Sequence, residues 1–93
     1  MNETVEREFA INSELGLHAR PAGQFVSLAS RFKSEISVCR GDEWVDGRSV
    51  LSLLSLAAAS GSALRIRATG PDAAEAVEAL GKLIENPERD ALR

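Results

Sequence analysis

The chain has 93 residues, 44% apolar and 27% charged, which fits one small globular domain and not a disordered segment. Its net charge of −3 argues against non-specific nucleic-acid binding, which needs a basic face. Cys39 is the only cysteine and so forms no internal disulfide, Met1-Asn2-Glu3-Thr4 carries no basic, apolar signal pattern, and no apolar run approaches ~18 residues, so the expected setting is cytoplasmic, without membrane insertion.

Val5, Phe9 and Ile11 share one parity, interrupted by Arg7, and predict a half-buried strand. Asn12 to Gly16 reads as a loop. From Ala19 the apolar spacing becomes helical, through Ala22, Phe25, Val26, Ala29 and Phe32, and Pro21 is tolerated because early helical N–H groups have no partner within the helix. Phe25 is expected in the core. Ile36 and Val38 begin a second strand, Arg40 to Glu43 is a turn, and Trp44-Val45 begins a short third strand. Asp46-Gly47 breaks the chain again. Ser49 then stands as N-cap to a helix over Val50 to Leu56, which ends before Ser60-Gly61-Ser62. Leu64, Ile66 and Ala68 alternate with Arg65 and Arg67, a strand pattern. Gly70-Pro71-Asp72 opens the last helix, with Pro71 at or near its first position and Asp72 in its first turn. Its apolar stripe is Ala73, Ala76, Val77, Leu80, Leu83 and Ile84, and Pro87 and a polar tail follow.

The order is β-α-β-β-α-β-α. Helices on one side of a mostly antiparallel sheet bury every apolar stripe at once, which predicts an α+β, two-layer open-faced β-sandwich. A single domain over 1–93 is expected, with its core over about residues 4–86.

His18 is the only histidine, set in Gly16-Leu17-His18-Ala19-Arg20-Pro21-Ala22. An imidazole nitrogen can attack phosphorus. At the N-cap of the first helix it would lie beside the free amides of Ala19 and Arg20 and the positive end of the helix dipole, a setting that binds phosphate. The Arg20 guanidinium offers a fork of donors suited to phosphate oxygens. A lone histidine at a helix start is also often only a cap or a surface residue, and these residues alone leave that alternative open. With one histidine and one cysteine, a zinc site is not expected.

Three stretches together carry a resemblance. Gly16 to Ala22 resembles the active-site signature of the HPr family, the histidine-containing phosphocarriers of the bacterial phosphoenolpyruvate-dependent sugar phosphotransferase system. Gly47-Arg48-Ser49-Val50-Leu51-Ser52-Leu53-Leu54-Ser55-Leu56 is similar to the family's regulatory serine segment. The Gly61 turn, the strand through Ile66 and Gly70 to Ala76 complete the match, which spans roughly residues 5–85.

The resemblance implies that His18 accepts a phosphoryl group on Nδ1 from phosphorylated enzyme I and passes it to an enzyme IIA-type domain, with Arg20 contacting the phosphate. It implies a carrier used as a substrate by enzymes, with no cofactor, and a sheet order of 1-4-2-3. Ser49 matches the serine modified by an HPr kinase/phosphorylase in many bacteria, and its plainer reading is an N-cap. Ser52 and Ser55 lie inside the helix, where phosphate gains less. Val50, Leu51 and Leu54 match a partner-docking patch, while Leu53 and Leu56 are expected in the core. A monomer is expected for a carrier that docks several proteins in turn.

The chain also departs from the pattern. Leu15 stands where some members carry a small polar residue, so any side-chain hydrogen bond from that position to the active-site loop is absent. Ser52 replaces a frequent glycine or charged residue. Trp44 and the Asp42-Glu43 pair are particular to this chain and either alter docking or decorate a hairpin. Arg40-Gly41-Asp42 spells a cell-adhesion tripeptide but reads as a turn. Two other functions compete: a regulatory or nitrogen-type relative that signals by protein contacts without sugar import, and a plain α+β interaction domain.

Overall fold

The computed structural model describes residues 2–86, in the order β1 (Glu3–Ala10), α1 (Ala19–Ala29), β2 (Glu35–Arg40), β3 (Glu43–Asp46), α2 (Val50–Ser55), β4 (Ala63–Gly70) and α3 (Ala73–Glu85). All strand pairs are antiparallel, and the sheet order is β1-β4-β2-β3, as expected. Pro87 and the polar tail lie outside the described residues.

The period-2 pattern of β4 sorts the two faces of the sheet. Leu64, Ile66 and Ala68 are buried on one face and join Phe9, Ile36 and Val38. The helices close over that face with Ala22, Phe25 and Ala29 of α1, Leu53 of α2 and the Ala76-Val77-Leu80 stripe of α3. Leu56, expected as the last helical residue, is instead the C-cap of α2 and is buried, and Phe32 packs on the core beyond the end of α1.

On the opposite face Glu6 accepts from Arg67 Nε at 3.0 Å and Arg65 Nη1 at 3.4 Å. The Arg67 guanidinium lies 3.9 Å from the centroid of the Trp44 ring, a cation–π contact. Cys39 pairs in register with both Trp44 and Arg65, and its thiol donates to the carbonyl of Gly41 at 3.1 Å. Trp44 therefore belongs to the side of the sheet turned away from the helices. Arg40 and Glu43 pair directly, leaving Gly41-Asp42 as a two-residue turn, with Gly41 at φ +64.

Two polar side chains fasten the helices to distant segments. The Arg48 guanidinium donates through Nη2 to the carbonyls of Phe32 at 2.6 Å, Ser34 at 2.9 Å and Ala29 at 3.4 Å, which ties the segment before α2 to the end of α1. Asp72 is the N-cap of α3, one residue before the helix begins, and Pro71 lies outside it. The Asp72 carboxylate turns away from its own helix. It accepts from Ser34 Oγ at 2.6 Å, the Ser34 amide at 3.0 Å and the Lys33 amide at 2.9 Å.

The Ser34 hydroxyl first, and then the Lys33 amide, hold the Asp72 carboxyl below its ordinary value of 3.8. A lowered carboxyl pKa contributes stability that is complete above 3.8 and is lost as pH falls through the folded value. Asp72→Asn is thus expected to lower the urea midpoint at neutral pH, with the gap from the parent closing in acid. An equal gap at both ends of a pH series would exclude the carboxylate as its source.

Candidate functional site

The loop that carries His18 is held from two sides. Asn12 Nδ2 donates to the carbonyl of Glu85 at the end of α3 at 2.9 Å. On the other side the Leu17 amide donates to the Ala58 carbonyl at 2.8 Å, just beyond α2. Between these anchors the Gly16 amide closes a turn onto the Ser13 carbonyl at 3.0 Å. Ser13, Gly16 and Leu17 are buried, while Glu14 and Leu15 face outward. None of this needs the side-chain hydrogen bond whose loss Leu15 implied.

Gly16 has φ +70, and a Cβ there would meet the carbonyl oxygen of Ala58 and lie 2.9 Å from Cα of Ala59. The partner segment is itself unusual, because Ala57 has φ +50. A non-glycine residue in this region costs about 1–2 kcal/mol, and it persists here where Ala58 presents its carbonyl to Leu17.

His18 is the N-cap of α1, with extended backbone at φ −96 and ψ −172. Its carbonyl accepts from the Ala22 amide at 3.0 Å, and its side chain makes no capping hydrogen bond. The imidazole is therefore half-exposed and uncommitted at the start of the helix. The amides of Ala19 and Arg20 have no carbonyl four residues back within the helix, so they supply the positive end of α1 beside the ring. Arg20 is exposed and lines an open groove along α1 with Gln24, Ser27 and Arg31.

Ser49 is the N-cap of α2, and its Oγ accepts from the Ser52 amide at 3.1 Å. α2 packs against α1 with its start away from the histidine end: Arg48, next to Ser49, reaches the last turn of α1, while Ala58 beyond α2 meets the loop before His18. Of the three residues matched to a docking patch, Leu51 is 81% exposed, while Val50 and Leu54 are half-buried against the core. Leu53 and Leu56 are buried, as expected. The supports that sequence reasoning missed are Asn12, Gly16, Arg48 and Ala58. Among the described residues no group of three His, Cys, Asp or Glu side chains is placed to hold a metal ion, and no helix is long and apolar enough to cross a membrane.

The geometry defines a class of protein: an open-faced α+β sandwich that displays a single histidine at a helix start. Three comparisons narrow it. A family model described as the PTS HPr component phosphorylation site matches residues 5–86. The phosphocarrier protein HPr of Neisseria meningitidis serogroup A is 42% identical over 80 residues, 86% of this chain and 90% of that protein. The HPr-like protein Crh of Halalkalibacterium halodurans is 42% identical over 81 residues, 87% of this chain and 96% of that one. The crystal structure of HPr from Bacillus anthracis superimposes with a TM-score of 0.85 at 35% identity, covering 88% of this chain and 98% of that one. The chain belongs to the HPr family of phosphotransferase-system phosphocarriers.

Proposed function

We propose that the protein carries a phosphoryl group on Nδ1 of His18, taken from phosphorylated enzyme I and passed to an enzyme IIA-type domain. The observation that carries this reading is the uncommitted imidazole at the start of α1. In the first transfer the Nδ1 lone pair forms a P–N bond as the bond from phosphorus to the donor breaks; in the second that P–N bond breaks as the acceptor takes the group. Between the two, the amides of Ala19 and Arg20 and the Arg20 guanidinium face the added negative charge. The partners bring most of the positioning, so the chain serves as a substrate of enzymes and needs no cofactor of its own. A cytoplasmic monomer fits a carrier that docks donor and acceptor in turn. Incubation with phosphoenolpyruvate and active enzyme I should place one acid-labile phosphoryl group on the chain, and no label would overturn the reading.

Ser49 is the proposed target of an HPr kinase/phosphorylase. Phosphate there would add about −1.5 to −2 charges at the start of α2, beside the proposed docking residues Val50, Leu51 and Leu54. Ser49→Ala is expected to end incorporation by such a kinase and, through the lost cap to Ser52, to cost about 1 kcal/mol of stability. Incorporation that survives the substitution would take Ser49 out of the role.

The likeness to a protein named HPr-like and not phosphocarrier favours a second reading, a regulatory or nitrogen-type relative that signals by protein contacts without sugar import. Transfer assays with purified sugar-type and nitrogen-type enzyme I separate the two.

A further inference from the structure

We propose that Leu15 is a docking residue for the protein that delivers the phosphoryl group to His18, and that it seats in an apolar depression beside that partner's phosphoryl-bearing residue. The inference rests on the phosphocarrier reading above.

Two large apolar side chains stand exposed among the described residues, Leu51 at 81% and Leu15 at 76%. A single exposed leucine is ordinarily unremarkable, but the position of Leu15 sets it apart. Three residues of chain span at most about 11 Å, so Leu15 lies within that distance of His18, and the Ser13–Gly16 turn shortens the path. A donor must bring phosphorus into bonding distance of the imidazole. Even a small transient interface of about 600 Å² per partner covers a disc of roughly 14 Å radius. A contact centred on His18 therefore covers Leu15 as well.

The loop also presents this side chain in a fixed way. Ser13, Gly16 and Leu17 face the protein, held by the Leu17–Ala58 hydrogen bond, and leave Leu15 and His18 on the outward side. Little backbone order is lost when such a residue is covered, so the burial of its apolar surface goes into affinity.

Leu15 makes no contribution to the core, so Leu15→Ser should fold with an unchanged melting temperature. With the whole chain as the varied substrate of enzyme I, KM should rise about tenfold with kcat unchanged, which corresponds to losing part of one leucine's burial. Leu15→Met should restore KM. A parental KM in Leu15→Ser overturns the inference, as does a fall in kcat at unchanged KM, which would make the residue a support for the loop. If the parent chain itself takes no phosphoryl group on His18, the carrier reading fails first and the inference falls with it.

Discussion

His18→Ala is expected to remove acid-labile phosphorylation by enzyme I completely. The loss is chemical and not structural. The imidazole makes no capping hydrogen bond, and the backbone carbonyl of residue 18, which receives the Ala22 amide, is untouched by the substitution. Circular dichroism and the melting temperature should therefore stay close to those of the parent. No second histidine exists to take the group. Any acid-stable label left in the variant would report a serine or threonine, with Ser49 the first to examine. Acid-labile label at the parental level would overturn the assignment of His18.

Gly16→Ala is expected to damage both stability and transfer, because three effects act on one residue. An L-residue at φ +70 costs about 1–2 kcal/mol. The new methyl group also meets the Ala58 carbonyl, and backbone cannot swing aside as a long side chain can. Overpacking of this kind costs about 1–3 kcal/mol. Relief requires the loop to lift from Ala58–Ala59, which loosens the hydrogen bond from Leu17. Reduced unfolded-state entropy returns only about 0.4–1 kcal/mol. The net loss is about 1–5 kcal/mol, a large share of the roughly 5–15 kcal/mol that holds a small domain together. Urea unfolding reads the stability, and the rate of phosphorylation under native conditions reads the displacement of His18. A midpoint unchanged from the parent would show that the loop does not rest on Ala58 as described.

The sequence made the elements legible wherever a period was strong. The alternation of Leu64, Ile66 and Ala68 with Arg65 and Arg67 marks β4, and the caps at His18 and Ser49 mark where α1 and α2 begin. Less legible was everything that depends on backbone partners far along the chain. Arg48 looks like one more surface cation until the carbonyls of Ala29, Phe32 and Ser34 are gathered around it by folding. Asp72 reads as first-turn acid, because nothing local signals that Ser34 and Lys33 will compete for its oxygens. Asn12 and Ala58 carry no chemical signature at all. They support the histidine loop through a main-chain carbonyl each: Asn12 donates to that of Glu85, and Ala58 offers its own to the Leu17 amide.

The place of β4 has a consequence for how the protein is made. It is an interior strand of the sheet, flanked by β1 from the start of the chain and β2 from its middle, yet only α3 follows it among the described elements. A ribosome delivers β1, the histidine and α1 long before the strand that joins β1 to the rest of the sheet. Until residues 63–70 emerge, β1 has no neighbour, and the Leu17 amide gains its anchor only once Ala58 is out. Non-local pairing of this kind is slow to close and leaves apolar strands uncovered while it waits. The nascent chain thus holds its histidine early, but the loop around it gains its anchor and its sheet only once Ala58 and β4 have emerged.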